Sequence, residues 1–124
     1  MSDAIAQIVS NFMSRTQDVG AVAIISLDGR LIYSTGNWQI DAQAFLNSIN
    51  NKEPSIVVQG VKYSTLTATD DSFVATNVTQ GLGHIIGAAI DKKGWIVTYV
   101  GPNGDKNTIL KELFTASAQL ISLI

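Results

Sequence analysis

Residues 61–69 (VKYSTLTAT), 73–78 (FVATNV), 84–90 (HIIGAAI) and 95–100 (WIVTYV) follow one another with very little between them. The breaks are Asp70-Asp71-Ser72, a loop ending in Gly81-Leu82-Gly83, and Asp91-Lys92-Lys93-Gly94. Connections this short make neighbouring strands pair antiparallel, because a parallel pair needs a crossover of about a dozen residues or more. The series runs straight into a last segment where Ile109, Leu110, Leu113, Phe114, Ala116, Leu120, Ile121 and Ile124 form one wide apolar face at helical spacing. Lys111, Glu112, Thr115, Gln119 and Ser122 lie on the other face, and Asn103 or Asp105 is placed to cap the helix. Nothing in these hairpins reads as a catalytic loop. The stretch describes a small sheet that presents a surface.

Upstream, Ile5, Ile8, Val9, Phe12 and Met13 recur at the i, i+3, i+4, i+7, i+8 spacing of a helix with one buried face, over about residues 3–17. Residues 21–27 (AVAIISL) do not alternate. A strand apolar on both faces is covered on both faces, so it lies centrally with helices above and below. Asp28-Gly29 then leads into residues 31–35 (LIYST), and that pair suits a type I′ hairpin. Asp41 caps a second helix through Asn50, with Ala42, Phe45, Leu46 and Ile49 facing inward. Residues 50–54 form a loop before Pro54, residues 56–58 a short strand, and Gly60 breaks it. Trp38, in the loop after the second strand, reads as a lid on the core before it reads as a partner contact. The order α-β-β-α-β-β-β-β-β-α is an α+β domain built on a central antiparallel sheet of six to seven strands.

A chain of 124 residues fits one domain, over residues 1–124, and is too short for two. At 46% hydrophobic it folds; at 15% charged its surface is lean in charge, as where part of it is shared with a partner. The net charge of −2 and scattered basic residues exclude the basic stripe that nucleic acid requires. Without cysteine there is no disulfide, no thiol catalysis and no cysteine-based metal site. The opening Met1-Ser2-Asp3-Ala4 lacks the basic and apolar segments of a secretory signal, and no apolar run approaches the roughly 20 residues of a membrane span, so a cytoplasmic protein is expected.

The only histidine, His84, sits inside an apolar strand, and no nucleophile turn accompanies it. It reads as a structural or contact residue. Asp70-Asp71 are turn residues, and Gly81-Leu82-Gly83 precedes a strand where a phosphate cradle needs a helix. No catalytic residue, metal or cofactor is expected.

The collinear set of local motifs resembles the profilin family of small actin-monomer-binding proteins. It comprises Gly20-Ala21-Val22-Ala23-Ile24-Ile25 with Asp28-Gly29, then Gly60-Val61-Lys62-Tyr63, which is similar to the family's Gly-x-Lys-Tyr strand start. Gly83-His84-Ile85-Ile86, Trp95-Ile96-Val97-Thr98-Tyr99 and a glycine-rich turn feeding the last helix complete it. The likeness spans essentially the whole chain and is closer to an archaeal relative than to a eukaryotic member. It implies a profilin-like fold with the N- and C-terminal helices packed together. It also implies a non-catalytic protein, monomeric when free, that binds an actin or actin-like monomer and regulates its polymerisation.

Carried over by position, the actin face comprises Lys62, Thr67, Thr76, Asn77 and His84 on the strands. On and before the last helix it comprises Asp105, Lys106, Asn107, Lys111, Glu112 and Thr115. The family also clamps poly-proline between its terminal helices with aromatic residues. The corresponding positions here are Ile5, Ile8, Tyr33 and Ile121, of which only Tyr33 is aromatic, so the resemblance implies at most a weakened or altered site for a proline-rich peptide. Phosphoinositide contacts rely on basic patches that this chain does not cluster. The alternative is a roadblock or longin-like dimeric scaffold for a small GTPase, which opens with a similar helix, strand, Asp-Gly and strand. Five strands in the second half are more than that module needs.

Overall fold

The elements run α1 (Ser2–Ser14), β1 (Val19–Ser26), β2 (Leu31–Ser34), α2 (Ala42–Asn50), β3 (Ser55–Val58), β4 (Val61–Ala68), β5 (Ser72–Thr76), β6 (His84–Ile90), β7 (Gly94–Val100) and α3 (Lys106–Leu120). The computed structural model describes residues 2–36, 38 and 40–124. Seven strands form one sheet in the order β2-β1-β7-β6-β5-β4-β3, and every adjacent pair is antiparallel. From β3 onward the sheet is the hairpin series that the short connections dictate. The N-terminal strand β1 then pairs along the free side of β7, with Val22 opposite Thr98 and Ile24 opposite Ile96.

Two apolar layers sandwich this sheet. On one face α2 packs Phe45, Leu46 and Ile49 onto Ala23, Ile25, Phe73, Ala75 and Val97. The Phe45 ring meets Phe73 and Trp95 edge-on, with centroids 5.6 and 6.5 Å apart, the arrangement that the aromatic quadrupole favours. Trp38 is buried in the same layer, as a lid on the core. On the other face α1 and α3 share a core of Val9, Phe12, Leu113 and Leu120 over Val22, Ile24, Ile86 and Ile96. Strand β1 contributes alternately to both layers, which is why it carries no polar alternation. Among the described residues no helix is long and apolar enough to cross a membrane.

The local signals set most boundaries. Asp41 caps α2 by accepting from the Ala44 N–H at 3.1 Å. Asp105, not Asn103, caps α3 by accepting from the Thr108 hydroxyl and from the Thr108 and Asn107 N–H groups, and these bonds, the hydroxyl's first, hold its carboxyl below the ordinary carboxylate value. Helix α1 ends at Ser14, short of residue 17.

The Asp28-Gly29 turn differs from the type I′ geometry its composition suggests. Only Gly29 takes a positive φ, 87°, while Ser26 N–H donates to Arg30 O at 2.9 Å and Gly29 N–H to Ser26 O at 3.1 Å. This is a three-residue connection with a left-handed residue at its end, favoured here because the Ser26 hydroxyl also bonds Asp28 and accepts from the Arg30 N–H. Type I′ geometry appears instead between β3 and β4, where Gln59 and Gly60 have φ of 50° and 80° and Val58 pairs directly with Val61.

Candidate partner-binding face

The pair α1 and α3 covers only part of its side of the sheet. Helix α3 lies over β6 and β7, α1 lies beside it, and the outer strands β4 and β3 are left open. Register fixes which side chains occupy that open area. Val57 pairs with Lys62, Ser64 with Thr76, and Thr76 with His84, so these residues share one face. A bulge in β4 sets both Leu66 and Thr67 opposite Val74, whose side chain joins the α1 and α3 core. Val57 and Leu66 are 64% and 54% exposed, and Thr67 and Lys62 are exposed beside them.

Helical periodicity divides the residues of α3 between two flanks. Thr108, Glu112, Thr115 and Gln119 recur at intervals of three and four, so they lie along one side. That side faces α1: Glu112, Thr115 and Gln119 line a crevice with Ile8, Asn11 and Arg15, and the Arg15 guanidinium lies 4.0 Å from the Glu112 carboxylate. Lys106, Leu110 and Phe114 recur at intervals of four on the opposite side, toward the open strands. Lys106 is close enough to His84 for its charge to act on the ring, and Phe114 is 36% exposed. Asn107 and Lys111 stand on the outer ridge, exposed.

The residues carried over by family position therefore do not form one cluster. Lys62, Thr67, Thr76 and Lys106 come together around the open strands, with Asn107 and Lys111 above them. Glu112 and Thr115 fall on the α1 side, and Asp105 is committed to the helix cap.

Asn77 and His84 sit at the edge of the face with their polar groups turned inward. The Asn77 amide donates to Lys62 O at 2.8 Å and accepts from Gln80 and Leu82 N–H at 2.9 and 3.2 Å, and so shapes the β5–β6 loop. His84 Nδ1 lies 2.6 Å from the Thr76 hydroxyl. Burial lowers the His84 pKa and the Lys106 charge adds to this, against a weaker opposing effect from the Pro102 carbonyl.

The proline-site positions lie at the other side of the helix pair. Ile5 is buried, Tyr33 is half-buried against the same core, and Ile121 is exposed with its carbonyl accepting from Lys93 Nζ at 2.6 Å. Ile8 borders the α1–α3 crevice, whose free space of about 20 Å³ is too small for a proline ring.

Three exposed apolar residues of the open face, Val57, Leu66 and Phe114, escape a reading of composition. Periodicity counted Phe114 into the core face of α3. The β4 bulge, which turns Leu66 outward, leaves no mark in the sequence.

No family model matches the chain. It is 41% identical to Odin profilin of Odinarchaeota yellowstonii (strain LCB_4) over 107 residues, covering 86% of this chain and 89% of that protein. The crystal structure of LokiProfilin1 matches it with a TM-score of 0.90 at 30% identity over 100% of both chains. The profilin of a LokiProfilin2/rabbit actin complex matches with a TM-score of 0.89 at 28% identity, again over 100% of both. These likenesses favour the profilin reading over the roadblock or longin-like alternative. With that identity to Odin profilin and the same fold from end to end, the chain belongs to the profilin family.

Proposed function

We propose that this chain binds an actin monomer through its open outer strands and the adjoining flank of α3, and thereby regulates actin polymerisation without catalysis. The observation that carries the reading is the exposed apolar row of Val57, Leu66 and Phe114, framed by Lys62, Thr67, Thr76 and Lys106. Apolar groups ringed by polar ones are the anatomy of a protein interface, with a desolvated centre and a wet rim. Its support from outside the chain is the match over full length to a profilin solved with rabbit actin.

Each group has a part that follows from its chemistry. Leu66 and Phe114 supply apolar area at the centre. Lys62, Lys106 and Lys111 give the rim a positive edge that steers an acidic partner surface. Asn77 and His84 act one step removed, holding the β5–β6 loop and the start of α3 in place. A contact of this kind covers about 800 Å² on each partner. Occupying one end of a monomer blocks addition at that end and leaves the other free.

Titration of the protein into polymerising rabbit actin tests the proposal. The expected result is a slower filament assembly that saturates with added protein. An unchanged assembly rate with rabbit actin and with an actin from the same source organism would overturn it.

A further inference from the structure

On the α2 side of the sheet, away from the face described above, lies an open cavity of about 500 Å³. Its walls include Trp38, Val61, Tyr63, Leu82 and Tyr99, with Gln59 at one side, and among the described residues none that lines it is charged. The volume is in the range of small-molecule sites, which are apolar with a few placed polar groups.

Two features distinguish it from a packing gap. The first is Tyr63, only 4% exposed, whose hydroxyl bonds to no described residue. Tyr63 is itself a wall residue of the cavity, so its hydroxyl is the phenolic donor nearest to a molecule bound there. Burial, reinforced by the neighbouring Tyr99, raises the Tyr63 pKa and keeps it a neutral donor. The Tyr99 hydroxyl is already used, donating to Leu82 O at 2.5 Å.

The second is the setting of Tyr99. A Cβ at Gly20 would come within 3.1 Å of its ring, and one at Gly83 within 3.0 Å of its hydroxyl. Glycine at both positions leaves the room that the ring occupies between β1 and the loop that carries Leu82.

We infer that this cavity is a ligand site for a small, uncharged ring compound carrying a carbonyl oxygen, which accepts from the Tyr63 hydroxyl while the ring lies among Trp38, Val61 and Leu82. An ionised ligand would lose its hydration there with no counter-charge to replace it. A ligand without an acceptor would leave the Tyr63 donor unsatisfied.

Benzamide serves as the probe and benzoate as its charged counterpart, both titrated into ¹⁵N-labelled protein. The inference predicts saturable shifts at the Val61, Tyr63 and Leu82 amides with benzamide and none with benzoate at the same concentration. Tyr63→Phe keeps the ring and the fold and removes the donor, and should weaken benzamide roughly threefold to tenfold. Val61→Phe fills the space and should abolish the shifts. Equal response to both compounds, scattered shifts, or an unchanged affinity in Tyr63→Phe would overturn it.

Discussion

Asn77 illustrates how a single side chain can shape the edge of the proposed face from within. Its amide joins β4 to the β5–β6 loop through three hydrogen bonds while the residue itself stays 6% exposed. Asn77→Ala leaves the Lys62 carbonyl and two loop N–H groups without that partner. About 2 kcal/mol of stability should be lost, measurable by urea denaturation, since unsatisfied polar groups carry most of such costs. His84 behaves comparably. Its pKa lies below the ordinary value of 6.5, so the unfolded chain takes up the proton first as pH falls. The His84 contribution to stability is therefore complete above about pH 6.5 and declines as pH drops below it, until the folded residue titrates. Urea midpoints at about pH 7.5 and about pH 5.5 should differ less in His84→Gln than in the parent; an equal difference would refute the assignment. His84 could be singled out from sequence as a polar residue inside an apolar strand, and Asn77 only through its position in the family resemblance. That their polar groups turn inward could not, since it depends on the loop partners Lys62, Gln80 and Leu82 and on the approach of Lys106.

Helix α3 shows how far periodicity reaches and where it stops. Spacing sets Ile109, Leu110, Leu113, Phe114, Ala116, Leu120, Ile121 and Ile124 on one face; Ile109, Leu113, Ala116 and Leu120 are buried there, whereas Phe114 and Ile121 are exposed. Leu113→Ala should cost about 3 kcal/mol, because Leu113 is fully buried between the sheet and α1. Spacing alone cannot say which flank of the helix meets α1 and which is left free, because both are equally distant from the core stripe. The structure separates them, and the separation is testable. Lys106→Glu should weaken actin binding about tenfold or more, as for a charge at a complementary rim, whereas Glu112→Gln should leave it within about twofold. Calorimetric titration of both variants with monomeric actin checks this. The strands were readable because short connections allow only antiparallel neighbours. The turns were less so: Asp28-Gly29 carries the composition of type I′, but the hydrogen bonds of Ser26 with Asp28 and Arg30 favour a longer connection.

At the scale of the molecule, the fold is an open seven-stranded sheet whose first strand lies inside it, with α2 on one face and the α1–α3 pair covering part of the other. The pairing of β1 with β7 is the most distant in sequence and places α1 against α3, which is why the helix pair shields one side and exposes the other. The overall α+β architecture could be inferred from the order of elements, and the family from collinear motifs that are individually weak. The location of the open area could not, because it depends on how far α3 reaches across β6 toward β5 and on the β4 bulge. The chain should run as a single 13.2 kDa species in light scattering when free, and a stable dimer would mean that the open face is closed by a second copy. The measurement that bears most directly on the proposed docking face compares Phe114→Ala with Gln119→Ala in binding to monomeric rabbit actin. The two exchanges lie on opposite flanks of one helix, and both parent residues are exposed. Removal of Phe114 should raise Kd by about thirtyfold, as for an apolar anchor near the centre of an interface, while Gln119→Ala should bind like the parent. Equal affinities in the two variants, or a loss confined to Gln119→Ala, would contradict the account.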